Sequence, residues 1–292
     1  MKEIFGNSIF ILVLTGTFLL GIAGAMVGSV TVLNKKSLIG DAIGHSGFPG
    51  IILAFMIFST RSPYILLAGA VATGMIAYFI ISLVDHTEKR KSDTSLAVVL
   101  SGFFGLGMAL KSYIQGNVKY QGASQSGLSN YIFGQAAFMT REDIKLIISV
   151  SILAICLLLL FYKEIKLYVF DPEFLMVSGF NRNFINFIII LMTIAVIAAG
   201  LKVVGSILIS SILIAPTVTA MQWTDKYKNV IIIATIIGGV SSFIGTLWST
   251  MGSGISTGPA IVIIMSLFAL LSLVFGTNGV IQTMIRRRRY AK

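Results

Sequence analysis

Again and again this chain runs for some twenty residues with almost no charge, at 8 to 33, 38 to 60, 63 to 85, 93 to 113, 143 to 162, 184 to 201, 203 to 222, 230 to 250 and 257 to 275. A hydrocarbon core about 30 Å thick takes about 20 helical residues to cross. Within that core only structures that satisfy every backbone group internally persist. The pattern predicts an all-α polytopic membrane protein, a single domain over 1–292, with about eight to nine transmembrane helices. Eight is the count if 184–201 and 203–222, joined only by the stretch GLKVVG around Lys202, form one broken helix. The composition agrees, since 56% hydrophobic residues against 11% charged ones excludes a soluble globular chain. The opening MKEIFGNSIFILVL has a weak basic start and no small-residue cleavage site, so it reads as the first span. The lone Cys156 lies in an apolar run, which leaves no intrachain disulfide, cysteine metal cluster or redox role.

A net charge of +11 would suggest nucleic acid in a soluble protein, but here the basic residues cluster in short loops and report topology instead. With a cytoplasmic C-terminus, Lys35, Lys36, Lys89, Arg90, Lys91, Lys163, Lys166, Arg182, Lys226, Lys228, Arg286 to Arg289 and Lys292 all lie inside. That is fifteen of the 22 basic residues. An external N-terminus and a cytoplasmic tail follow from the positive-inside rule.

Against this background one stretch is anomalous. SLIGDAIGHSGFPGIILAF, from Ser37 to Phe55, holds the only acidic residue within a long apolar run, Asp41, and the only such histidine, His45. A charge at that depth costs roughly 2.5 to 3.5 kcal/mol and marks a functional site by default. At i, i+4 the two side chains share one helix face, and a carboxylate beside an imidazole suits a divalent first-row metal ion. Entering from the cytoplasm near Ser37, the span carries His45 roughly 12 Å in, at 1.5 Å per residue. Two plainer readings stand beside this: Asp41 as a span-start carboxylate near the headgroups, or as a hydrogen-bond partner that merely satisfies His45. Gly44 and Gly47, with Gly40 and Gly50, permit close helix approach or a bend, and Pro49 frees a backbone carbonyl near the pair.

The remaining polar stretches are less specific. Residues 114 to 142 read as an outer loop with a short helix, and Tyr113, Tyr120, Tyr131 and Phe133 as interfacial aromatics. Between Lys163 and Asn183 the spacing predicts a short amphipathic helix: Asp171 as N-cap, Pro172 in the first turn, Glu173 at the positive end of the dipole and Gly179 as the stop. Phe170, Phe174 and Val177 fall near one face, which either lies on the membrane or docks into a cytoplasmic partner. VGSILISSILIAPTVTA, at 204 to 220, mixes small residues with Pro216 and predicts tight packing and a kink. Gly252, Gly254, Gly258 and Pro259 interrupt the chain before the last span.

Five pieces in order resemble one family, the permeases of ABC transporters that take up manganese, zinc and iron: LNKKSLIGDAIGHSGFPGIILAF (33–55), SDTSLAVVLSGFFGLGMAL (92–110), GLSNYIFGQAAFMTRED (127–143), FDPEFLMVSGF (170–180) and VGSILISSILIAPTVTA (204–220). The resemblance implies the ABC importer permease fold, homodimeric in a bacterial plasma membrane. It implies that Asp41 and His45 meet the metal on its path, and that Asp171, Pro172, Glu173, Phe174 and Gly179 belong to the coupling helix that fits the ATPase subunit. It further implies as partners a cytoplasmic ABC ATPase, an extracellular metal-binding protein, a second permease copy and membrane lipid, and no nucleic acid. The chain itself holds no cofactor and no G-x-x-x-x-G-K-[ST] phosphate loop, so ATP would be bound by the partner subunit and this chain is not an enzyme.

A proton-coupled secondary metal transporter, with Asp41 and His45 as a proton relay, is the competing class. FDPEF argues against it, because a proton-driven carrier needs no docking helix. An intramembrane enzyme fares worse, with neither an H-E-x-x-H motif nor a second intramembrane aspartate. Among ions, manganese is preferred because no thiolate is offered and GFPGIILAF looks like manganese-type permeases, with zinc and iron as alternatives.

Overall fold

The computed structural model describes residues 8–87, 92–117, 120, 127–128, 130–136, 139–252 and 255–282. Of the predicted cytoplasmic cations, Lys89, Arg90, Lys91, Arg286 to Arg289 and Lys292 therefore lie outside the described residues, as does Gly254. In chain order the helices are α1 (Ser8–Leu33), α2 (Ile39–Phe58), α3 (Pro63–Thr87), α4 (Ser92–Gly116), α5 (Asn130–Phe133), α6 (Arg141–Leu160), α7 (Tyr162–Phe170), α8 (Pro172–Val177), α9 (Arg182–Val204), α10 (Ile209–Met221), α11 (Tyr227–Met251) and α12 (Thr257–Phe275). Eight of these are long and apolar enough to cross a membrane, and α10 is a shorter apolar helix.

Contacts at the helix ends sort the elements into two poles. At one pole the Gln135 amide donates to the Lys202 carbonyl (3.0 Å), the Ser206 amide to the Tyr131 carbonyl (3.0 Å) and the Ser256 hydroxyl to the Gly134 carbonyl (3.2 Å). At the other the Asn278 amide donates to the Gln222 carbonyl (2.9 Å), and Tyr168, Asn186 and Tyr78 form a chain of hydrogen bonds. Lys163, Lys166, Arg182, Lys226 and Lys228 gather at the second pole, which is the cytoplasmic one by the positive-inside rule. Because Gly205 sits at the first pole and Gln222 at the second, α10 must run between them. Its 13 residues reach only about 20 Å. The turn at 205–208, opened by Gly205 at φ +90°, covers the rest. The predicted spans at 184–201 and 203–222 are thus two separate passes, the second of them short, and the described chain crosses nine times.

Lipid tails are as apolar as leucine, so helices associate in the membrane through close fit and paired hydroxyls. At the crossing of α2 and α3 a Cβ on Gly50 would overlap the Gly69 carbonyl, and one on Gly69 would meet the Ala54 side chain at 2.7 Å. Thr17 and Thr246 pair their hydroxyls at 2.9 Å between α1 and α11, and Ser29 and Thr217 pair at 3.3 Å between α1 and α10. Helix α9 is the most enclosed span and α4 the most exposed. Tyr120 and Tyr131 are buried, at 7% and 8% exposure, so they pack inside the outer loop region and do not face headgroups as predicted. Tyr113 does lie exposed, and the Phe133 side chain is outside the described set.

Candidate functional site

Asp41 lies in the first turn of α2, and His45 follows one turn later with its imidazole edge-on to Phe104 of α4, ring centroids 5.0 Å apart. His45 Nε2 stands 3.7 Å from Asp41 Oδ1. That is too long for a hydrogen bond. Two donors on one tetrahedral ion, with bonds of about 2.1 Å, stand about 3.4 Å apart, so the pair would close by a few tenths of an ångström to share one. The side chains are 35% exposed for Asp41 and 13% for His45, which leaves the carboxylate the more accessible of the two. His45 Nδ1 is buried and has no hydrogen-bond partner. The reading in which Asp41 simply satisfies His45 by a hydrogen bond is therefore not the geometry observed.

Among the described residues no cluster of three or more His, Cys, Asp or Glu side chains surrounds a common point. One chain therefore offers two strong donors at this place, an arrangement that suits an ion in passage better than a resident metal with a closed shell. Helix α2 is held from behind. Gly44 faces Ile209, whose Cγ2 would lie 2.7 Å from an added Cβ, and Gly47 faces Leu201 at 3.0 Å and Ala70 at 3.6 Å. Pro49 is buried inside α2 where Gly107 of α4 comes against it. These small and ring-closed residues fix the seat of the Asp41 and His45 face within the protomer. Gly44→Leu is expected to cost about 1 to 3 kcal/mol of stability by overpacking. Transport should fall with it, and thermal unfolding in detergent together with uptake measures both.

The short helix predicted between Lys163 and Asn183 forms as a compact unit at the cytoplasmic pole. Helix α8 is capped by the Asp171 carboxylate, which accepts from the Phe174 amide at 3.0 Å, with Pro172 at the first helical position and Glu173 in the first turn. It ends where the Phe180 amide donates to the Leu175 carbonyl at 3.2 Å, a closure that needs the left-handed φ of +86° at Gly179. Leu175 is fully buried and anchors the element. Phe170, Phe174 and Val177 are all exposed, Val177 to 85%. Burial raises the pKa of Tyr168 nearby on α7, where its hydroxyl donates to Asn186.

A third polar cluster was not anticipated. Near the outer pole Asp143 Oδ2 accepts from Lys202 Nζ at 2.5 Å and from the amide and hydroxyl of Thr140 at 2.6 Å each. The carboxylate is 4% exposed, so this is a buried ion pair tying α6 to α9. Tyr131 lies beside it, its phenol pKa pushed up by burial and by the Asp143 charge. Two signals pointed here: Thr140 and Asp143 have the spacing of a capping box, and Lys202 interrupts an apolar stretch and so needs a partner. Asp143→Ala strands the lysine and is expected to cost about 3 to 5 kcal/mol, whereas Asp143→Leu with Lys202→Met should cost much less. Thermal unfolding of the two variants distinguishes these outcomes.

The model of the ABC 3 transport family matches residues 7–276. The manganese transport system membrane protein MntC of Bacillus subtilis is 42% identical over 263 residues, a match that spans 90% of this chain and 60% of that protein. The zinc transport system membrane protein TroC of Treponema pallidum is 38% identical over 278 residues, spanning 95% of this chain and 92% of that one. Among solved structures, PsaBC from Streptococcus pneumoniae in complex with Fab superposes with a TM-score of 0.82 at 25% identity, covering 95% of each chain.

Proposed function

The chain belongs to the ABC 3 transport family, and from that membership we propose that it is the membrane permease subunit of an ATP-driven importer whose cargo is a divalent transition-metal ion, manganese first. The observation that carries the reading is the Asp41 and His45 pair: a carboxylate and an imidazole 3.7 Å apart, partly open, on a stretch of helix whose other residues from Ile39 to Ile52 are buried. An oxygen and an imidazole nitrogen without thiolate suit manganese, zinc and iron alike. Manganese is preferred because the hard carboxylate is the more exposed donor and the nearby relative in Bacillus subtilis is named for manganese. Zinc is the alternative that the Treponema pallidum relative supports, and iron fits the same donors.

The permease works with a second copy of itself, a cytoplasmic ATPase that binds ATP and an extracellular protein that delivers the ion. Helix α8, with Phe170, Phe174 and Val177 outward and Leu175 rooted in the protein, is the contact through which ATP hydrolysis reaches the membrane part. A proton-coupled carrier leaves that capped, apolar and exposed helix without a purpose. The test is uptake into vesicles by the reconstituted complex, with manganese, zinc and ferrous iron compared at equal free concentration. The ion that both stimulates ATP hydrolysis and accumulates inside is the cargo. Accumulation driven by a proton gradient without ATP would overturn the importer reading, and preference for zinc or iron would overturn manganese.

A further inference from the structure

Between α1, α6, α7 and α11 runs a groove of about 770 Å³. Leu159, Ile232 and Ile236 line its length, and Lys163, Glu164 and Lys228 stand at its cytoplasmic edge. The three apolar side chains are 61%, 45% and 58% exposed, so the groove opens sideways, where a membrane protein meets acyl chains. Its polar edge lies at the inner leaflet, next to Tyr162 and Tyr227, whose ring centroids are 5.4 Å apart with the planes tilted by 38°. Glu164 Oε2 is buried there without a hydrogen-bond partner. A buried carboxylate oxygen in that state calls for a donor. An occupant of complementary chemistry is apolar along its body, carries one net negative charge against two lysines and one glutamate, and brings hydroxyl groups for Glu164.

We propose that this groove holds an inner-leaflet glycerophospholipid with an anionic, hydroxyl-bearing headgroup, phosphatidylglycerol in chemical terms. Its acyl chain lies along Leu159, Ile232 and Ile236, its phosphate between Lys163 and Lys228, and a headgroup hydroxyl donates to Glu164. A zwitterionic lipid brings no net charge to the two lysines. A second permease copy is a poorer occupant, because α4 packs against α2 and α3 whereas α11 packs against α1, α10 and α12. A two-fold axis near Asp41 and His45 thus leaves this flank to the bilayer, a point that rests on the pathway reading of that pair. Since α7 leads directly into α8, a lipid seated here braces the element that meets the ATPase.

The complex is reconstituted in phosphatidylcholine vesicles with equal parts of phosphatidylglycerol and phosphatidylethanolamine, re-extracted in mild detergent, and its retained lipid counted by native mass spectrometry. Wild type is expected to keep phosphatidylglycerol in preference to phosphatidylethanolamine. Lys163→Ala and Lys228→Ala should each lower that retention about fivefold, the worth of one basic residue at an anionic surface. Ile232→Trp, which fills the groove without touching a charge, should lower it too, and Lys145→Ala at the other end of α6 should not. The same preference in an Asp41→Ala background shows the lipid site to be independent of the metal site. Equal retention of both lipids, indifference to the lysine variants, or separation of permease copies by Ile232→Trp with lipid retention unchanged would each overturn the proposal.

Discussion

Replacing Asp41 or His45 by alanine is expected to lower metal uptake by at least about 100-fold while the permease still inserts and still pairs with its ATPase. Changing even a residue that only orients a metal ligand typically costs 10 to 100-fold in affinity or activity, and these two side chains are the proposed donors themselves. Conservative changes sharpen the test. Asp41→Asn keeps the size and a carbonyl oxygen but removes the charge that offsets desolvation of a dication. His45→Gln offers an amide in place of the imidazole nitrogen. Both are expected to fall well below wild type, with Asp41→Asn worse for manganese than for zinc, since manganese depends more on hard anionic oxygen. The check is radiolabelled uptake alongside co-purification of the ATPase. Near-normal uptake in both alanine variants would remove the site.

That same pair shows how far the residues could be read without coordinates. A carboxylate and an imidazole four residues apart inside an apolar run share a helix face by geometry alone. The backbone of α8 was equally legible, because Asp171, Pro172 and Gly179 each act through local rules that need no tertiary partner. What the sequence hid was long-range. Asp143 is a cap residue by its local pattern and an ion-pair partner only because α9 brings Lys202 beside it, 59 residues on. Tyr120 and Tyr131 looked interfacial because tyrosine usually is in a membrane chain, yet both are buried within the protein. The short pass of α10 was ambiguous for a related reason, since hydropathy registers length but not the turn at Gly205 that completes the crossing.

Glu173→Lys and Phe174→Asp are expected to uncouple ATP hydrolysis from transport, lowering uptake about tenfold or more while leaving the permease's metal affinity unchanged. The helix bearing them has only six residues and cannot stand by itself. It holds because Leu175 is buried, Asp171 caps its start and Gly179 closes its end. Neither substitution touches those three supports, so the fold of α8 should survive in both variants. What changes is its outward face. Phe174 is 54% exposed in the isolated chain, the state of an aromatic anchor that waits for a pocket. A carboxylate placed there would have to be desolvated on docking, a loss of about 2 kcal/mol or more for a hot-spot contact. Charge reversal at Glu173 acts through repulsion at the rim, so its effect should weaken as salt rises, much more than that of Phe174→Asp. ATPase activity of the reconstituted complex with and without metal gives the coupling ratio, and metal binding to the permease is titrated separately. If both variants couple as wild type does, α8 is a surface helix and the ATPase contact lies elsewhere on the cytoplasmic pole.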